Sequence, residues 1–239
     1  MGGLGSRFKD VGFDTPKPLI TVDGQAMFLK ALSSLDTISC KKKFYFVIRQ
    51  EHVTEQGLDT LIEQVLPEAN VIIIPELTRG AVETAIAANS ALDSTEPLVV
   101  MDCDLWFVSS SYTKMVMDSI EKRSDIAGGL LTFEANNPRY SYAVIDSDNI
   151  VRETAEKKVV SNHAITGAYF FSSAQKFTNA ASILLNQEIS AQMPEYYMSL
   201  LYNILINKGE KVEASYVDKF ASFGTPDELT AYNQLGNLL

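Results

Sequence analysis

Three short runs of strand-forming side chains, residues 43–49 (KFYFVIR), 70–74 (NVIII) and 98–102 (LVVMD), alternate with segments of helical length at 25–35, 55–66 and 80–92. The runs are apolar almost throughout, not at every second residue, which predicts strands buried on both faces. Strands that alternate with helices predict an α/β fold, a Rossmann-like and mostly parallel sheet flanked by helices. Ligands of such sheets bind beyond the carboxyl ends of the strands.

The middle of the chain changes character. Residues 127–133, 141–146, 150–153 and 164–171 are short strand-like pieces separated by turn formers such as Asn136-Asn137-Pro138 and 146–149, which predicts hairpins in a β-rich insertion. Residues 195–208 return to a helical pattern, with Tyr197, Leu200, Leu201, Ile204 and Leu205 on one side and Gly209 as its stop. Residues 212–217 read as a further strand, and 226–235 as a closing helix with Pro226 in its first turn. No repeat, low-complexity tract or linker interrupts the 239 residues, so one domain spanning 1–239 is expected.

Composition narrows the function classes. The longest apolar runs are of strand length, which excludes a membrane helix, and Gly2, Gly3 and Gly5 stand where a secretory signal would carry a basic and then an apolar stretch. Cys40, Cys103, His52 and His163 show no zinc-ligand spacing, and a cytoplasmic protein is expected. A net charge of −10 opposes nucleic-acid binding. Any phosphate must then be held locally, by backbone amides, a few placed cations and a divalent metal.

The first residues, MGGLGSRFKDVGFDTPKPL, supply candidates. Glycines let a backbone approach an anion and turn several N–H groups toward it, and Arg7 and Lys17 would add charge. The bland alternative is a loose terminus with one arginine and a surface lysine. A dinucleotide fingerprint starting at Gly3 fails because Phe8 stands where its third glycine belongs, which disfavours a NAD-linked enzyme. A Walker loop fails because no Gly-Lys-Ser or Gly-Lys-Thr follows. Together, G-G-L-G-S-R-F and P-K-P-L with a Val-Asp-Gly turn after it resemble the signature of the sugar-phosphate nucleotidyltransferases, the nucleotide-sugar pyrophosphorylases, which have a glycosyltransferase-A-like fold.

The resemblance runs on through the chain. Thr78-Arg79-Gly80-Ala81 resembles the family's base-reading segment, and Met101-Asp102-Cys103-Asp104 its strand-end metal motif. Glu156-Lys157, followed by 164–169 with Gly167, resembles the stretch that holds the acceptor phosphate, and Phe223-Gly224-Thr225-Pro226 the closing Gly-Thr element. It implies that Gly2, Gly3, Leu4 and Gly5, with Arg79, Gly80 and Ala81, bind a nucleoside triphosphate, and that Arg7, Lys17 and Asp104 are catalytic. It further implies that Asp104 binds Mg²⁺, and that Glu156, Lys157 and Gly167 hold a sugar or alcohol phosphate. The nucleotide would bind to about residues 1–125 and the acceptor to about 126–239. Members range from monomers to tetramers, so a homo-oligomer is compatible with the sequence.

Two departures stand out: relatives carry a buried strand ahead of the glycine loop where this chain starts, and Ser222 falls where many have an aspartate. Both favour a catalytically silent nucleotide-sugar-binding relative, whereas the joint presence of Arg7, Lys17, Asp104 and Lys157 favours an enzyme. The enzyme expected joins a nucleoside monophosphate to a sugar 1-phosphate for surface polysaccharide synthesis. A cytidylyltransferase acting on a phospho-alcohol is the close variant. Residue by residue, plain alternatives remain: Asp104 as a cap on the segment after its strand, and Glu156 as part of an exposed Glu-Lys-Lys turn. Asp102 is the weaker metal candidate, His163 and Cys103 read as structural, and Glu195 and Asp218 carry no assigned role.

Overall fold

A computed structural model describes residues 1–191 and 193–235. In chain order the first elements are α1 (Ser6–Lys9), β1 (Thr21–Val22), β2 (Gln25–Ala26), α2 (Met27–Ser33), β3 (Tyr45–Arg49), α3 (Gln50–Gln56), α4 (Leu58–Val65) and β4 (Asn70–Ile74). There follow α5 (Ala81–Ile86), β5 (Leu98–Met101), β6 (Leu105–Val108), α6 (Ser110–Ile120), β7 (Gly128–Glu134), β8 (Ser141–Ile145), β9 (Val151–Glu156) and β10 (His163–Phe171). The last are α7 (Ala174–Leu185), α8 (Ser199–Asn207), β11 (Val212–Tyr216), β12 (Lys219–Ser222) and α9 (Pro226–Leu235). The described residues divide into two units: residues 1–77, 102–108 and 218–235 form the first, and residues 78–101, 109–191 and 193–217 the second.

In the first unit β3 and β4 pair in parallel, as expected of strands joined by helices, and Phe46 and Ile48 pack with Phe28, Leu58 and Ile62. A second apolar cluster joins Phe8, Ile20, Val22 and Met27 to Ala221, Phe223, Leu229 and Tyr232. The hairpin of β1 and β2 turns at Asp23-Gly24, both with positive φ (49° and 76°), the two-residue turn that matches strand twist. That pairing takes Gln25 and Ala26 out of the helix expected from residue 25, so α2 begins at Met27. The helix expected over 55–66 is two helices, because Gly57 at φ 60° ends α3 and starts α4.

The sheet of the second unit is mixed, in the order β11-β7-β10-β8-β9 with β5 also beside β10. β7 and β11 run parallel, and the other pairings are antiparallel; of the expected hairpins β8 and β9 form one across 146–149, whereas β7 and β8, on either side of Asn136-Asn137-Pro138, both pair with β10 and not with each other. β10 carries a register irregularity between Ile165 and Tyr169, where Gly167 adopts φ 102°. Ahead of the irregularity it pairs with β8, and beyond it with β5. Tyr202, Phe171, Phe177 and Leu201 fill the core between this sheet and α7 and α8.

The expected burial of two strands and the expected extent of two helices do not hold. β4 and β5 are not buried on both faces: Ile73 is 44% exposed and every residue of β5 is only partly covered. Among the described residues each has one paired neighbour; on β5 one face carries the core contacts, through Leu98 and Val100, whereas on β4 Val71 packs against the core and Ile74, on the opposite face, is 6% exposed. The helix expected from residue 195 begins at Ser199, because the backbone of Tyr196 is engaged elsewhere, and Tyr197 precedes the helix. The helix expected over 80–92 is α5 followed by one 3₁₀ turn at Asn89–Ala91.

Candidate active site

In the first unit the glycine loop folds against Lys17. Gly5 has φ 63°, and a Cβ there would lie 3.4 Å from the Cβ of Lys17, so a larger residue would be strained and crowded at once. Gly2 is buried and Leu4 is 49% exposed. Among the described residues the amides of Gly3, Leu4 and Gly5 donate to no carbonyl, which leaves them available to an anion. Arg7 lies exposed on α1, with no partner among the described residues.

Lys17 opens a 3₁₀ turn between Pro16 and the buried Pro18, whose fixed φ angles hold the turn in place. Its ammonium donates to Asp104 Oδ2 and, at 3.3 Å, to the Gly224 carbonyl, and lies 5.6 Å from the Phe8 ring centroid. The pairing of β6 with β12 brings these partners together, since the ladder runs to Ser222 opposite Leu105 and the Phe223 amide donates to the Asp104 carbonyl at 2.6 Å. Burial pushes the Lys17 ammonium down, the Asp104 carboxylate outweighs it, and the pKa stands above the ordinary lysine value. Cys103 packs near Phe28, Phe46 and Ile48, and burial pushes its thiol up to about 11, which fits a structural residue.

Gly224 leaves a space framed by oxygens. A Cβ there would lie 3.1 Å from Glu228 Oε2 and 3.5 Å from both Asp104 Oδ2 and Ser222 Oγ. Hard oxygen donors around a small space, already holding the Lys17 cation, fit Mg²⁺, which takes one or two carboxylates and completes its shell with phosphate and water. Among the described residues no group of three or more acidic, His or Cys side chains gathers, so a site of protein ligands alone is not built. Glu228 escaped the sequence reading because its approach depends on α9 starting at Pro226, one turn past the strand that pairs with β6.

The second unit carries the remaining candidates in two places. Arg79 pairs with Glu83, its Nε 2.8 Å from Oε1, and its guanidinium lies 5.0 Å from the Tyr196 ring centroid. Gly80, at φ 139°, presses on the Tyr196 backbone: a Cβ would fall 2.6 Å from its nitrogen and 2.7 Å from its oxygen. Ala81 starts α5. At the end of β9, Glu156 accepts from the hydroxyls of Ser141 and Ser199, the latter at 2.8 Å. Lys157 follows at φ 53° and its ammonium donates to the Tyr197 hydroxyl at 2.8 Å, which raises its pKa above the ordinary value. Gly167 is buried at the irregularity of β10. Ser141, Ser199 and Tyr197 went unread in the sequence, because single hydroxyls carry no spacing signal.

An α/β fold with a lysine and a carboxylate behind an open glycine loop is of the kind that handles phosphate anions. Residues 1–207 match the family model described as nucleotidyl transferase, and the chain belongs to that family. A curated relative, the mannose-1-phosphate guanylyltransferase catalytic subunit beta of Drosophila pseudoobscura pseudoobscura, is 23% identical over 174 residues, covering 72% of this chain. The chain spans about half the length of that relative, 46%. Among solved structures, the nucleoside-diphosphate-sugar pyrophosphorylase from Vibrio cholerae RC9 superposes with a TM-score of 0.83 at 23% identity, covering 98% of both chains. The inositol-1-phosphate CTP transferase from T. maritima superposes with a TM-score of 0.74 at 14% identity, covering 98% of this chain and 92% of that one. These likenesses establish the fold.

Proposed function

We propose that the protein transfers a nucleoside monophosphate from a nucleoside triphosphate to a sugar 1-phosphate, forming a nucleoside-diphosphate sugar for surface polysaccharide synthesis. The observation that carries this reading is the Lys17 ammonium held by Asp104 and Gly224, on a residue whose Cβ abuts Gly5 in a loop whose amides donate to no carbonyl among the described residues. An acceptor phosphate oxygen attacks the α-phosphorus, the α–β bridging P–O bond breaks, and pyrophosphate leaves with the bond's electrons. The attacking oxygen is already anionic, so the barrier is the approach of like charges, and positioning with charge neutralisation lowers it.

In this scheme Gly2, Gly3, Leu4, Gly5 and Arg7 hold the triphosphate, and Lys17 stabilises charge on the α-phosphate. Arg79, Gly80 and Ala81 read the base. Lys157 grips the acceptor phosphate, Glu156 takes acceptor hydroxyls, and the bend at Gly167 shapes the neighbouring strand. Asp104 would hold Mg²⁺, which when bound neutralises phosphate oxygens. Magnesium dependence and a cytoplasmic location belong to this reading; among the described residues no helix is long and apolar enough to cross a membrane.

The test is pyrophosphate release from the full chain with Mg²⁺, each common nucleoside triphosphate in turn, and a pool of sugar and alcohol phosphates. Release that needs one triphosphate and one sugar phosphate supports the reading. Dependence on CTP and an alcohol phosphate selects the cytidylyltransferase instead, and no release from any pair selects a silent binding protein. Lys17→Ala should lower kcat by about 100-fold or more with the fold retained. An unchanged rate removes Lys17 from the mechanism.

A further inference from the structure

In the second unit, Tyr196 and Tyr197 are neighbours in sequence that serve two different groups of residues. Tyr196 is almost fully buried and locked to the segment around Gly80: its amide donates to the Arg79 carbonyl at 2.9 Å, and its carbonyl accepts from the Val82 amide at 3.1 Å. Its hydroxyl donates to the Gln187 carbonyl at 2.6 Å, so the ring is fixed at both ends. Gly80 lies so close to this peptide that no side chain fits between the two backbones. Tyr197 faces Lys157, with its hydroxyl 2.8 Å from the ammonium and its ring centroid 4.8 Å away.

Lys157 is a charge held in readiness. Among the described residues no carboxylate forms an ion pair with it; a neutral phenol accepts one of its three protons and leaves two donors for an anion. Its backbone sits at φ 53°, a conformation that costs energy for a residue with a Cβ, pinned by its amide donating to the Tyr140 carbonyl at 3.1 Å.

We propose that Tyr197 is a positioning residue that presents Lys157 to the acceptor phosphate, and that through Tyr196 this presentation depends on whether nucleotide occupies Arg79, Gly80 and Ala81. The inference rests on the reading above. A base seated on residues 79–81 orders that segment, and the two main-chain hydrogen bonds carry the order to the Tyr196-Tyr197 peptide and from there to Lys157. The acceptor then pays less to bind, so nucleotide and acceptor bind with positive coupling. By linkage, acceptor tightens nucleotide binding by the same factor.

Hydrogen exchange of the full chain tests this without turnover. ATP, CTP, GTP, UTP and dTTP are added singly, and peptides covering 78–84 and 152–160 are followed. One triphosphate should protect both peptides in the wild type, and in Tyr197→Phe it should protect 78–84 while protection of 152–160 is largely lost. In the pyrophosphate assay Tyr197→Phe should raise the acceptor KM about tenfold with kcat within about twofold, the loss expected of one hydrogen bond to a charged group. Protection of 78–84 alone in the wild type overturns the coupling and leaves the proposed function standing. Equal protection of both peptides in wild type and Tyr197→Phe also overturns it, and protection of neither by any triphosphate overturns both.

Discussion

His52 is held neutral by its surroundings. Burial pushes its pKa below the ordinary 6.5, the Arg49 guanidinium adds to the effect, and the N-terminal ammonium and Lys9 act in the same direction while Glu51 opposes them. Arg49 Nη2 lies 3.2 Å from His52 Nε2, and because an arginine can only donate, the imidazole accepts there. The unfolded chain therefore binds a proton more readily than the folded one. Stability is fully present above about pH 6.5 and falls as pH drops through that value, by at most about 1.4 kcal/mol per pH unit. Melting temperature should fall between pH 7.5 and 5.5, and fall less in His52→Gln; an identical slope in the variant would assign the effect to other groups. Residues differ in how far sequence exposes them. Lys17 and Asp104 were readable as candidates from their motifs, yet their meeting across 87 positions required the pairing of β6 with β12.

Among the elements, α9 was readable over its full length, because Pro226 is suited to a first turn and Thr225 Oγ1 caps the helix by accepting from the Glu228 amide at 3.2 Å. The start of α8 was not, since the pattern Tyr197, Leu200, Leu201 suits a helix while the main chain of Tyr196 is committed to Arg79 and Val82. β6 and β12 went unread because Leu105–Val108 follows closely on the apolar run of β5 with no helix between, and Lys219–Ser222 mixes polar and apolar residues without a continuous run. The contact between the Gly80 segment and Tyr196 makes its own prediction. Gly80→Ala must place a methyl against the Tyr196 backbone at a φ of 139°, and should cost about 2 kcal/mol or more in chemical denaturation. A loss below about 0.5 kcal/mol would show that the two segments can separate freely.

At the scale of the whole molecule, each unit owns its apolar clusters: those around Phe28 and Phe223 in the first, that around Leu201 and Tyr202 in the second. Leu201→Ala, a loss of about 2–5 kcal/mol at a fully buried position, should speed hydrogen exchange in β7 and β10 far more than in β3 and β4. Uniform acceleration would show that the clusters open together. What the sequence by itself determined was the α/β class, the β-rich middle and the inventory of cations and carboxylates. Those properties arise from periods of two or 3.6 residues and from backbone sterics, which act over a few neighbours. Tertiary structure alone decided which strands pair, which faces stay open, and which remote groups meet: Lys17 with Asp104 and Gly224, Lys157 with Tyr197, Gly80 with Tyr196. Such meetings follow from burying apolar faces and satisfying backbone hydrogen bonds across the whole chain, and no local pattern encodes them.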